Sequence, residues 1–272
     1  MKTLHKGLIL LAVACLLLLA TGCNKLKARD QLNKGVQAYK NTKYEQAIDH
    51  FQEAVRLDPA LINARLYLAT AYAQQYIPGA DTPDNNRMAE LAIDQYKQVL
   101  QVDPKNINSI KGIAYLYLQM KKFDQAKEYY KKASAVDPND PEPYYSVAVI
   151  DWTQTYQPRM EERAKLGMKP DDSLPGKDKK VCAMLGEKNT PFIQEGIDNL
   201  NKALQLRPDY DDAMAYMNLM YREKADVECD DKDARAADLK TADEWVDKTM
   251  ATKKAKAEKQ PGAQGIVMDQ KQ

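Results

Sequence analysis

The chain has 272 residues, with 40 Lys and Arg against 39 Asp and Glu, a formal charge of +1. So even a balance gives no electrostatic case for a nucleic-acid partner, whose phosphates call for a basic surface. Three phenylalanines against sixteen tyrosines point to many small, partly wet contacts rather than one thick core.

The first element is an apolar run. Lys2 and Lys6 precede GLILLAVACLLLLA, and no charge falls between Gly7 and Cys23. The run is shorter than the roughly 20 apolar residues that carry a helix across a bilayer. It ends in small residues, as an export signal does. LATGC resembles the bacterial lipobox, although Ala20 stands three residues before the cysteine where the family favours leucine, and Leu19 lies one further back. The resemblance implies a lipoprotein signal peptide over 1–22, cleavage between Gly22 and Cys23, and acyl chains on Cys23 as the contact with membrane lipid. Several chains hold a protein far better than one. Residues 23–30 then read as a lipidated linker, and losing Lys2 and Lys6 leaves 38 basic against 39 acidic residues. Asn24 follows, where an aspartate would favour the inner membrane; the resemblance therefore implies an outer-membrane anchor facing the periplasm, with inner-membrane anchoring as the alternative. The competing reading keeps the run as an uncleaved hydrophobic tail.

Four phased segments follow. YEQAIDHFQEAVRLDP ends at Pro59, LAIDQYKQVLQVDP at Pro104, FDQAKEYYKKASAVDP at Pro138 and FIQEGIDNLNKALQLRP at Pro208. In each, a small residue begins a phase, at Ala47, Ala92, Ala126 and Gly196. A bulky one comes four later, at Phe51, Tyr96, Tyr130 and Leu200. A third comes seven later, at Ala54, Val99, Ala133 and Ala203. Those offsets put all three on one helical face, and the proline closes the helix because it has no N–H to donate. A second helix precedes each of these, with Gly35 twelve before Ala47 and Ala114 twelve before Ala126. The pattern resembles the tetratricopeptide repeat, a 34-residue pair of antiparallel helices. The resemblance implies an all-α fold, a right-handed superhelix of paired helices stabilised by nearest-neighbour packing. Its expected repeats are 28–61, 62–106, 107–140, 141–210 and a divergent 211–250, within a domain over 31–250.

Two intervals are too long. Pro59 to Pro104 is 45 residues, and the surplus falls in YIPGADTPDNNRM, an insert over 76–88 rich in turn formers. Pro138 to Pro208 is 70 residues. An insertion over 156–190 is the favoured reading, a short amphipathic helix followed by a Pro/Gly-broken polar run; a hidden sixth repeat is the competitor. Residues 251–272 lose the pattern and read as a flexible tail.

Catalytic signatures are missing from the sequence: there is no GxSxG, HExxH, P-loop or Gly-rich nucleotide fingerprint. Of the two histidines, His5 falls in the signal and His50 reads as a surface residue. No cofactor, no metal and no enzymatic activity are expected. Cys182 and Cys229 fall between the helices of repeats four and five; equivalent loops share an edge of a solenoid, so the two are a candidate disulfide in an oxidising compartment.

The resemblance also implies that the first helix of each pair lines a concave groove. Carrying that phase over selects Leu32, Val36 and Tyr39 in repeat one, and Leu66, Thr70 and Ala73 in repeat two. It selects Asn108, Lys111, Tyr115 and Leu118 in repeat three, Tyr145, Val149 and Trp152 in repeat four, and Leu219 and Arg222 in repeat five. Tyr and Trp offer large contact area at low entropy cost. Tyr39, Lys111, Tyr115, Tyr145, Val149, Trp152 and Arg222 are therefore the candidate groove contacts. The functional expectation is a non-catalytic scaffold or adaptor for a protein partner in the bacterial envelope. The alternative is a periplasmic glycan or peptidoglycan binder that uses the aromatics as stacking platforms.

Overall fold

The computed structural model describes residues 23–169 and 172–259, and every regular element in them is an α-helix. The expected signal peptide over 1–22 and the end of the expected tail, 260–272, fall outside the described residues. α1 spans 23–40, and α2 to α6 are Tyr44–Leu57, Ile62–Gln75, Pro83–Val102, Ile107–Gln119 and Phe123–Val136. α7 is Pro141–Lys165, α8 Leu174–Lys177, α9 Lys179–Leu206, α10 Asp211–Val227 and α11 Lys232–Lys259. None of the described helices is long and apolar enough to cross a membrane. The helices form antiparallel pairs, and the chain divides into two compact units between Tyr129 and Tyr130.

In the first unit α3 packs on both α2 and α4, and α4 on α5. The phased positions explain this. Ala47, Phe51 and Ala54 of α2 are fully buried, as are Ala92 and Val99 of α4, with Tyr96 nearly so. Small residues bring the helix axes close, and the aromatic between them fills the space left. Burying one such ring contributes about 1.5–3 kcal/mol. Gly35 of α1 is where the ring of Phe51 comes to rest, and Gly112 of α5 gives way to Tyr96 in the same manner.

The insert of repeat two is partly helix. Thr82 caps α4, its side chain accepting from the Asn85 N–H, and Pro83 takes the first helical position, where a missing N–H costs nothing. Only 76–82 remains as a loop. Asn85 holds it: its carboxamide accepts from Ile77 N–H at 2.7 Å and donates to the Ile77 and Ala80 carbonyls at 2.8 and 2.7 Å. Thr42, in the α1–α2 turn, and Lys121, in the α5–α6 turn, sit at φ +58 and +56. Both ends therefore close in the left-handed region with a side chain present.

In the second unit α9 packs on α7 and α10, and α10 on α11. Ala133, Gly196, Leu200 and Ala203 are buried in the expected phase. The insertion takes an unexpected form: it lengthens both helices of its pair. α7 continues through Pro158 to Lys165, and α9 starts at Lys179 and runs through Pro191, giving helices of 25 and 28 residues. Asp178 caps α9 by accepting from Lys180 and Val181 N–H.

The interior of this extension is charged. Arg159 and Arg163 of α7 meet Glu223 and Asp226 of α10, with contacts of 2.8 Å from Arg159 to Glu223 and 2.5 and 3.2 Å from the two arginines to Asp226. Arg163, 1% exposed, also donates to the Lys169 and Asp172 carbonyls, tying the turn beyond α7 to the helix. Such a set tolerates burial because each charge faces an opposite one. Burial pushes the Glu223 carboxyl up to about 7, and nearby Asp226 adds to the rise while Arg159 opposes it. Cys182, at the start of α9, is bonded to Cys229 in the α10–α11 turn, with Cα atoms 5.8 Å apart.

Candidate functional site

α7 begins at a strong cap: Asp140 accepts from Glu142 N–H, and Pro141 fills the first position. From there Tyr145, Val149, Trp152 and Tyr156 recur at spacings of four, three and four, which aligns them along one face. All four are half-buried. α10 supplies the residue that joins them. The ring of Tyr216 stands edge-on to both Tyr145, at 5.5 Å and 85°, and Trp152, at 5.5 Å and 87°. Tyr210 closes one end against Tyr145 at 5.0 Å, and Tyr156 stacks on Trp152 at 4.7 Å at the other. Edge-to-face contacts of this kind add about 0.5–1.5 kcal/mol beyond burial. The wall is therefore rigid in its own right.

The electrostatics of the wall follow from partial burial beside carboxylates. Burial raises the Tyr145 and Tyr216 phenols, and Asp212 raises both further. Tyr210 is pushed up to about 12, chiefly by burial. These phenols stay protonated at any physiological pH and act as hydrogen-bond donors. Neither Tyr145 nor Tyr216 has a hydrogen-bond partner for its hydroxyl among the described residues.

The other predicted contacts are placed as follows. In the first unit, Tyr39 is half-buried with its ring edge-on to Tyr44 at 5.3 Å, and burial raises its phenol. Tyr115 of α5 is 52% exposed, and Lys111 lies one turn before it, half-buried. Leu66, Thr70 and Asn108 line one recess of about 320 Å³ together with Asn63, Tyr67 and Tyr96. Thr70 and Tyr96 share a hydrogen bond across it at 3.2 Å. In the second unit, Arg222 is exposed and paired with Asp243 of α11 at 2.7 Å, with Asn218 accepting from its Nε. Sequence reasoning missed Tyr210, Asp212 and Tyr216. Tyr216 lies three residues before Leu219, on the side of α10 that meets α7; an aromatic heading a divergent repeat was the available signal.

His50 is half-buried and shares a 2.7 Å hydrogen bond with Gln31, so it ties α2 to α1. Among the described residues no group of three or more His, Cys, Asp and Glu side chains could hold a metal ion. Cys23 is exposed at the start of α1 and unbridged.

Comparison with known proteins bears on this geometry. Residues 28–61 and 86–150 each match the family described as Tetratricopeptide repeat. These two segments carry tetratricopeptide repeats. The fold of the chain is similar to the crystal structure of MamA protein, at 13% identity over 85% of this chain and 94% of that one, with a TM-score of 0.56. It is also similar to MamA 41-end from Desulfovibrio magneticus RS-1, at 16% identity over 84% and 96%, with a TM-score of 0.55. At such identities the likeness is one of fold alone. No curated protein sequence matches the chain. The matched segments end at residue 150, within α7, so α10 and its share of the aromatic wall lie outside them.

Proposed function

We propose that the protein is a non-catalytic adaptor of the bacterial cell envelope, held to the membrane by acyl chains on Cys23 and binding a partner polypeptide along α7 and α10. The observation that carries the reading is the half-exposed wall of Tyr145, Val149, Trp152 and Tyr216, rigid before any partner arrives. Preformed aromatic surface binds at low entropic cost. The Cys182–Cys229 bond supports an oxidising compartment, and the lipobox-like LATGC with an exposed Cys23 supports the anchor. Outer-membrane delivery rests on Asn24.

Two measurements test it. Intact mass of the envelope protein should give a chain beginning at acylated Cys23, and Cys23→Ser should leave the membrane fraction; an unmodified Cys23 in that fraction would make the anchor wrong. Tagged protein purified from detergent-solubilised membranes should retain a discrete protein that Trp152→Ala releases. Retention on isolated cell-wall material, with no protein recovered, would favour the glycan-binding reading instead.

A further inference from the structure

The aromatic wall of the second unit has a charge bias. Asp212 is the second residue of α10, exposed, with no ion pair or hydrogen bond to its side chain among the described residues. It lies four residues before Tyr216, which puts the two on one face of α10, and its charge helps raise the Tyr145, Tyr210 and Tyr216 phenols. Asp140 and Glu142, at the start of α7, act on Tyr210 from the other helix. Of the cations near the start of α10, Lys256 pairs with Asp211 at 2.5 Å and its charge also reaches Asp212, while Lys253 acts on Asp211. Arg207 already lies over the Tyr210 ring at 4.4 Å. Arg159 lies over the Tyr156 ring at 5.5 Å at the other end, so the protein seats a guanidinium at each end of this cluster, and among the described residues none lies over the rings of Tyr145, Trp152 or Tyr216 between them.

We propose that this wall takes a Lys or Arg side chain of an extended partner polypeptide, its cationic end between Asp212 and the rings of Tyr145 and Tyr216, its aliphatic stem along Val149 and Trp152. The inference rests on the reading of α7 and α10 as the partner-binding face and adds the chemistry selected there. Ring quadrupoles attract a cation over their faces, and long basic side chains cover apolar surface while the head stays hydrated. The same carboxylates repel an acidic segment, so selectivity comes from both signs of interaction.

The test uses the full chain in detergent with Trp245→Phe, which leaves Trp152 as the single tryptophan. Four decapeptides of one Leu/Ser/Gly background carry Lys, Arg, Gln or Glu at two central positions. Trp152 emission should report binding of the Lys and Arg peptides at least tenfold tighter than the Glu peptide, with Gln between. Asp212→Asn should bring Lys and Gln within about threefold of each other, with an unchanged thermal melt; Asp94→Asn, in the first unit, should leave the ratios alone. Equal affinity for Lys and Glu peptides, or indifference to Asp212→Asn, would overturn the charge selection while leaving the face as a polypeptide site. No binding by any of the four would overturn the face itself, and the proposal with it.

Discussion

Gly35 of α1 rests against the ring of Phe51 of α2, so closely that a methyl group on Gly35 would overlap the ring. Neither partner has room to yield, since Phe51 is fully buried. Gly35→Ala should lower stability by about 1–3 kcal/mol even after the gain of roughly 1 kcal/mol in helix propensity. Gly196→Ala should cost less, because the obstacle there is the terminal methyl of Met220, on a flexible side chain. Denaturant midpoints of the two variants decide it; equal losses would show that Met220 is as fixed as Phe51.

Glu223 makes the second unit sensitive to pH. Its folded carboxyl titrates near 7, above the ordinary value of about 4.3, because burial disfavours the charge. The folded protein therefore keeps a proton that the unfolded chain releases, and the contribution of Glu223 is fully present below about pH 4 and lost as pH rises through 7. That loss is on the order of 3 kcal/mol at most. Glu223→Gln should flatten this part of the stability curve between pH 4.5 and 7.5. A variant whose curve runs parallel to the parent's would show that Arg159 keeps the carboxylate ionised.

Cys182 and Cys229 are 47 residues apart in sequence. Closing a loop of that size restricts the unfolded chain, and removing the bond in a Cys182→Ser/Cys229→Ser variant should cost about 2–4 kcal/mol. Thermal melts under oxidising and reducing conditions should differ for the parent and coincide for the variant.

Thr42 occupies φ +58, a left-handed conformation that a β-branched side chain resists. Its hydroxyl bonds only the Asn41 carbonyl, at 2.7 Å. Thr42→Gly should stabilise the first unit by up to about 1 kcal/mol. Thr42→Val, which keeps the strain and drops the hydroxyl, should destabilise it. A loss of stability in the glycine variant would show that the hydroxyl matters more than the backbone.

The repeats were legible because their signal is local. Ala47, Phe51 and Ala54 sit four and three residues apart, and helical geometry alone puts them on one buried face. Tyr145 and Trp152 share a face of α7 by the same geometry, and their reading as a groove wall came from the family resemblance and belongs to the proposed function. The extended α7–α9 pair was not, because Pro158 and Pro191 read as breaks when only neighbouring residues are considered. What sustains the extension is long-range: Arg163 meets Asp226, 63 residues away, and no local pattern announces that partner. Tyr216 was missed because the phase carried over to the divergent repeat five selected Leu219 and Arg222, and no local pattern says that α7 sets Tyr145 and Trp152 against Tyr216.

The extension also bears on the order in which the two units fold. In the first unit most side-chain bonds between helices join residues 19 to 33 apart, such as Gln52 with Tyr72, Thr70 with Tyr96, and Arg65 with Gln98, and the longest reach is the 43 residues from Tyr76 to Gln119. In the second, Arg159 must find Asp226 across 67 residues and Cys182 must find Cys229 across 47. Chains that close short loops reach the native state faster than those that wait for distant partners. On that ground residues 23–129 should gain their native contacts first, with the pairing of α7 and α9 against α10 following, an order that pulse-labelled hydrogen exchange would check. A chain emerging from its amino terminus meets these tasks in the same sequence, with the fast-closing repeats complete before the distant pairs must form.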